Sequence, residues 1–413
     1  MSEDLLWKRE VFPNGLRALL FPQPSTMTAQ LVVAVEYGSN DDPKDETGLA
    51  HFLEHMLAGG SENRIELLKT IERFGGCMNF STDNEFTISS VNVLPERLNE
   101  ASSTLSELLF NDSFEKEKLE IERAVILNEI AEASDDPRTK VEEMLRECLY
   151  KTHPVKRPVP GPPTTVKRLT LNEIENAHQS WYNPKNMVLA LTGKFSEGEV
   201  RTVLQNFTDR KNQKSLSTKI LHVEEGKPTK QSKLKKPGLS QAYLAVGAKT
   251  ISARHPNVPY LDLVNTILGV GESSRLFEEI REKRALTYDI GSFERGLDFG
   301  YFMVDCAVDP KHLKQTLSLI HKEIAKIKND KVAESELSKA KNMILSGVFR
   351  GFDNPGQRAE MLALAEIRYK SNSALKDYVE SIKSASTQNI IDVANDSLNE
   401  DDFSNSVITP ETK

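Results

Sequence analysis

Between positions 51 and 55 this sequence sets two histidines around a glutamate: His51-Phe52-Leu53-Glu54-His55. On an α-helix, residues four apart stand one above the other, so His51 and His55 offer two imidazoles to one point in space. Two such nitrogens can hold one zinc ion, which accepts histidine at about 2.0–2.1 Å. Glu54 follows His51 by three residues and projects toward the same cavity. It is placed to take a proton from water rather than to bind the metal. The order is that of the H-E-x-x-H zinc motif inverted.

Two histidines do not complete a catalytic zinc site. A third protein ligand is needed, with a fourth position left for water. A long charged helix is predicted over Glu115–Ser134, EKEKLEIERAVILNEIAEAS, and it offers Glu122, Glu129 and Glu132. Glu122 and Glu129 are seven residues apart, close to two turns, and share a face. Glu132 lies near that face as well, and periodicity does not choose among the three. A charged helix is by default a solvated face.

The flanking pattern supplies elements to carry these residues. Pro13-Asn14-Gly15 between apolar runs predicts a hairpin. Ala29–Ser39 and Met187–Gly193 are nearly all apolar and predict strands buried on both faces. Helices are predicted over LAHFLEHML, over IELLKTIERF with a Gly75-Gly76 stop, over LNEASSTLSELLF, and over LTLNEIENAHQSWY. HPVKRPVPGPP, positions 153–163, is too rich in proline for either regular state. A polar, lysine-rich stretch at 209–230 predicts a linker between domains at 1–208 and 231–413. The second half repeats the style of the first: a strand at QAYLAVGAK, helices at LDLVNTILG and SSRLFEEIREKRAL, a strand at GYFMVDCAV, then helical stretches at 311–328 and 333–349. The expected fold is α+β, in two domains of similar order.

Composition narrows the class. With 413 residues, more than one core is expected. A net charge of −8, with both signs dispersed, argues against nucleic acid as a partner. Cys77, Cys148 and Cys306 are far apart and form no CxxC pair, against a disulfide framework or a cysteine zinc site. No apolar run reaches the length of a membrane span. The N-terminus has neither a basic-then-apolar leader nor transit-peptide character. A cytoplasmic location is the expectation, or a mature form whose leader has been removed. The other histidines (153, 178, 222, 255, 312 and 321) have no ligand spacing and are read as structural or surface residues.

Taken together, these segments resemble the M16 metallopeptidases, the inverzincins that include pitrilysin, insulin-degrading enzyme and the mitochondrial processing peptidase. The likeness is to the short, single-half form. It rests on FPNGLRALLFPQP, YGSNDDPKDETGLAHFLEHMLAGG, ERAVILNEIAEASDDP, HPVKRPVPG, WYNPKNMVLALTG and ILGVGESSRLFEEIREKRALTYDIGS. The resemblance implies zinc held by His51, His55 and Glu129, with Glu54 as base and Glu122 as a supporting acid. It implies that FGGCMNFSTDNEFT is an edge strand on which Asn79 holds a peptide substrate. It also implies that Arg281 and Tyr288 contact substrate, with Tyr288 assisting at the oxyanion. From spacing alone, Arg275 and Arg284 compete with Arg281. The implied fold is two similar α/β-sandwich domains forming a clamshell half, only the first with HxxEH. The implied activity is a zinc endopeptidase acting on unfolded or extended peptides in a closed chamber. The partner would be a second copy or a related subunit. The alternative is a non-catalytic or partner-dependent subunit of a processing peptidase. Two departures stand out: HMLAGGS lacks the Phe-Lys-Gly-Thr continuation, and Phe80 replaces a smaller residue.

Overall fold

A computed structural model describes residues 7–212, 219, 226–295 and 298–411. Most of the linker expected at 209–230 therefore lies outside the described residues, as does His222. The chain forms two compact units. The first takes its described residues from Met1–Ala131, Arg157–Leu221 and Arg350–Leu375. The second takes them from Glu132–Lys156, His222–Phe349 and Lys376–Lys413.

The first unit is built on six strands: β1 (Lys8–Val11), β2 (Arg17–Pro22), β3 (Ala29–Val35), β4 (Cys77–Thr82), β5 (Thr87–Val93) and β6 (Met187–Gly193). Their order across the sheet is β1-β2-β6-β3-β5-β4. Only β2 and β6 run parallel, with Leu20 opposite Leu191. β1 and β2 form the hairpin expected around Asn14-Gly15, with Val11 opposite Arg17. Asn14 also caps the end of the helix Glu197–Thr208, donating from Nδ2 to the carbonyls of Phe207 and Thr208, each at 3.1 Å.

β3 and β6 are buried at every position, as their unbroken apolar runs require. On one face Leu31, Val33, Val35, Leu189 and Leu191 join a core with Ala50, Leu53 and Leu57 of α1 (Leu49–Gly59). α2 (Glu62–Arg73) and α3 (Leu98–Phe110) complete that layer against β4 and β5. The alternate residues Val32, Ala34, Val188 and Ala190 face the other way and are also buried. The helix Pro355–Tyr369 packs on β3 and β6. It is anchored by a two-pronged ion pair from Arg9 to the fully buried Glu366, at 2.8 and 2.9 Å.

The second unit has β7 (Gln231–Lys236), β8 (Ala242–Thr250), β9 (Ile290–Arg295), β10 (Gly300–Val308) and β11 (Ser404–Pro410). Their order is β7-β11-β8-β10-β9. Strand for strand this matches β2-β6-β3-β5-β4, with the parallel pair in the same place. The two halves therefore share one topology, and both sheets are mixed with helices packed on them. After α4 (Lys116–Asp135), helix α5 (Pro137–Leu149) packs on β8 and β11 of this second sheet. Ser406 donates to the Val141 carbonyl at 2.6 Å, and Tyr301 to Glu142 at 2.9 Å. Each sheet is thus covered on one face by a helix from the other half of the sequence.

Several elements differ from the sequence reading. α5 and Pro355–Tyr369 were not expected, nor were β11 and the helices Ala374–Ser384 and Thr387–Ser397. The helix expected over Ser273–Leu286 is a π-helical turn, Phe277–Glu282, closed by Ala285 at a φ of +50°. No described helix is long and apolar enough to cross a membrane. All three cysteines are free thiols.

Candidate active site

α1 presents His51, Glu54 and His55, and its start is held from outside the helix. The buried Asp42 carboxylate accepts from the Gly48 and Ala50 N–H groups at 2.8 and 3.0 Å. It also accepts from the Tyr37 hydroxyl at 3.0 Å. Burial pushes its carboxyl up to about 7, opposed by these three donors. Gly48 lies at φ +97°, and a Cβ there would stand 2.4 Å from the Pro160 carbonyl oxygen. Gly161 is packed as closely: its Cβ would lie 2.3 Å from the Thr47 carbonyl oxygen. Thr165 donates to that same carbonyl at 2.7 Å. The proline-rich segment, irregular as expected, is what clamps the start of the metal helix.

α4 brings the carboxylates. Leu119 and Ile126 are its buried residues, and Glu122 and Glu129 follow each of them by three, so all four line one stripe. Glu132 lies off this stripe, and between Glu122 and Glu129 the distances to the two imidazoles decide. Glu129 Oε1 lies 3.5 Å from His51 Nε2, and its Oε2 lies 3.5 Å from His55 Nε2. His51, His55 and Glu129 each offer one ligand atom, all within 4.8 Å of one another. They are the described residues' only such group of three or more.

Those separations test the fit of zinc. Ligands at about 2.0–2.1 Å around a tetrahedral ion stand about 3.4 Å apart. Each Glu129 oxygen stands 3.5 Å from one imidazole nitrogen, longer than a good hydrogen bond, and the three ligand atoms lie within 4.8 Å of one another. Two imidazoles and one carboxylate are zinc donors, and three of them leave a position open. The charge also suits a cation. The imidazoles of His51 and His55 hold the Glu129 carboxyl far below its usual range. Burial draws the His55 imidazole down, but Glu122, Glu129 and Glu54 outweigh it and raise it to about 9.

The other expected residues divide. Glu122 Oε2 stands 3.1 Å from His55 Nδ1, behind the ring rather than in the metal group. Glu54 accepts a hydrogen bond from the Thr82 hydroxyl at 2.7 Å, a contact the sequence reading missed. Thr82 ends β4, an edge strand whose exposure alternates: Cys77, Asn79 and Ser81 are exposed, Met78, Phe80 and Thr82 are not. Asn79 is therefore on the strand face opposite Thr82.

Arg281 and Tyr288 meet each other in the second unit: the guanidinium lies 5.4 Å from the Tyr288 ring centre and 4.5 Å from that of Phe277. Tyr288 is 84% exposed. Arg281 also donates to Glu282 at 3.2 Å, while the rival arginines are tied to carboxylates more distant in sequence, Arg275 to Glu336 at 2.8 and 2.9 Å and Arg284 to Glu279 at 2.7 Å. The helix Val258–Gly269 occupies, in the second unit, the chain position of α1. It contains neither histidine nor glutamate.

Fold and donor set together define a class: a duplicated α/β-sandwich protein with an inverted zinc motif in its first half. Comparison with known proteins makes the class definite. Residues 17–163 match the family model described as Insulinase (Peptidase family M16), and residues 168–344 match that described as Peptidase M16 inactive domain. The chain belongs to peptidase family M16. It is 29% identical to a protein of Mycobacterium leprae named an uncharacterized zinc protease, over 95% of this chain and 89% of that one. It is 24% identical to the uncharacterized zinc protease YmxG of Bacillus subtilis, over 98% of each. The fold is shared with a protease from Helicobacter pylori, with a TM-score of 0.88 and 22% identity over 98% of this chain and 100% of that one. It is shared too with a peptidase M16 inactive domain from Pseudomonas fluorescens, with a TM-score of 0.90 and 20% identity over 98% of each.

Proposed function

We propose that this chain is a zinc-dependent endopeptidase acting on unfolded or extended peptides. The observation that carries the reading is the convergence of His51 and His55 from α1 with Glu129 from α4, with Glu54 beside them. Zinc, when bound by these three residues, supplies Lewis acidity that lowers the pKa of water from about 15.7 toward 7. Glu54 takes the proton from the attacking water and passes it to the departing amine. Glu122 accepts from His55 Nδ1, fixing the tautomer that leaves Nε2 free to ligate. A peptide adds as a strand to the edge at β4, where Asn79 is exposed, and is recognised through its backbone more than its sequence. Arg281 and Tyr288 serve as substrate contacts, and the chain works as a dimer.

Metal analysis of purified protein, paired with cleavage of a fluorogenic peptide before and after chelation, tests the reading. One zinc per chain and cleavage lost on chelation and restored by zinc are expected. Glu54→Gln should lose about 10²–10⁴-fold in kcat while retaining its zinc. Undiminished cleavage by Glu54→Gln would remove Glu54 as the base. A second reading is favoured by the match of residues 168–344 to a domain described as inactive. In it the chain cleaves only with a related subunit, and the isolated, zinc-loaded chain would be inert.

A further inference from the structure

We propose that Thr82 is the positioning residue of the base Glu54, an inference that rests on the peptidase reading for its consequence but not for its test. The Thr82 hydroxyl donates to Glu54 Oε2 at 2.7 Å, within the range of a strong bond from a hydroxyl to a carboxylate. The two residues come from different elements, 28 positions apart. Neither is free to drift. Glu54 sits on α1, whose neighbours Leu53 and Met56 are wholly buried. Thr82 sits opposite Thr87 in the β4–β5 ladder. Thr87 is itself fully buried and donates from its hydroxyl to the Tyr37 carbonyl at 2.9 Å. Tyr37 in turn donates to Asp42, the residue that caps α1. Named bonds therefore run from the start of α1 through Asp42 and Tyr37 to Thr87, and Thr87 stands opposite Thr82, which holds the base.

The bond has a chemical consequence. A glutamate has three side-chain torsions, and a base held by one of its two oxygens loses the freedom to turn its carboxylate away. With Oε2 engaged by Thr82, Oε1 is the oxygen that takes the proton. The same strand that offers its edge to a peptide thus also fixes the base. Thr82 rather than Asn79 is the β4 residue on the side of Glu54, since the strand alternates. β-Branched threonine suits this place twice, because it favours the strand and carries a donor.

The experiment uses the full chain with Thr82→Val, which keeps the branched shape and removes the donor, and Thr82→Ser, which keeps the donor. Thr82→Val should retain zinc and KM within about twofold and lose about 10–100-fold in kcat, whereas Thr82→Ser should recover most of it. A second measurement needs no activity. In the metal-free protein, Thr82→Val and Glu54→Ala should each lower Tm, and the double variant should fall short of their sum by about 2 °C. Additive Tm losses would overturn the proposal, as would a Thr82→Val protein with wild-type kcat. Non-additive losses in a zinc-loaded chain that cleaves nothing would instead defeat the reading of the isolated chain as a peptidase and leave the Thr82–Glu54 link standing.

Discussion

The site separates the acids of α4 by distance. Glu129 stands 3.5 Å from one nitrogen of each histidine, whereas Glu122 stands behind His55 at 3.1 Å from Nδ1. Removing them should therefore have different effects. Glu129→Ala should abolish stoichiometric zinc, because it leaves two ligands. Glu122→Gln should keep the ligand set and weaken zinc about 10–100-fold, read by competition with a chelator. Glu132→Ala should leave zinc affinity unchanged, since Glu132 lies off the stripe and outside the group formed by His51, His55 and Glu129. Equal losses for all three variants would contradict the assignment. In the second unit the arginines are sorted by partner: Arg275 and Arg284 are held by Glu336 and Glu279, while Arg281 pairs with its neighbour Glu282 and faces two aromatic rings. Arg281→Ala should accordingly raise KM for peptide without moving Tm, and Arg275→Ala should lower Tm, which differential scanning and steady-state kinetics would separate.

Among the elements, α1 depends on groups outside itself. Its first residues have no side-chain cap within the helix, and Asp42 serves in that role from the preceding loop. Asp42→Ala would leave the Gly48 and Ala50 N–H groups and the Tyr37 hydroxyl without their acceptor. A loss of about 2 kcal/mol is expected, measured by urea denaturation of the metal-free protein. Because the same loop fixes the register of α1, zinc retention should fall with it. On α4, Leu119 and Ile126 bury the stripe that aims the two glutamates. Ile126→Ala should cost about 2–5 kcal/mol and weaken zinc together, since the cavity lies between the acids on the same helix face.

For the molecule as a whole, stability should be sensitive to acid through His178. This histidine is fully buried, donates from Nε2 to the Leu109 carbonyl at 2.8 Å, and stacks on Tyr182 with ring centres 5.2 Å apart. Its Nδ1 is buried with no hydrogen-bond partner among the described residues. Burial lowers it to about 4 from an ordinary 6.5. Between those values the unfolded chain binds the proton and the folded one does not. The contribution is therefore complete above pH 6.5 and is lost as pH falls toward 4, at up to about 1.4 kcal/mol per unit. Urea midpoints measured from pH 7 to 4 should fall more steeply for wild type than for His178→Phe; parallel curves would exclude His178 as the cause.

The duplication belongs to the same scale. Five strands of the first sheet and all five of the second have one order, yet α1 has His51, Glu54 and His55 where Val258–Gly269 has neither histidine nor glutamate.

How much of this was legible depends on how local the cause is. The inverted zinc motif was readable because side chains at 51, 54 and 55 need only one helical turn to meet. The fully buried strands β3 and β6 were readable because an unbroken apolar run has no face to give to water. The start signals of α5 and Pro355–Tyr369 were also present, in Asp136-Pro137 and Asn354-Pro355. What could not be read was that each helix covers the other half's sheet, since amphipathic pattern shows that a face is buried and not against what. The choice of Glu129 over its neighbours needed the distances from α4 to the two imidazoles. The bond from Thr82 to Glu54 needed β4 and α1 brought side by side. Covalent spacing fixes which side chains share a turn, whereas meetings between distant elements are set by packing, and packing exists only once the chain has closed on itself.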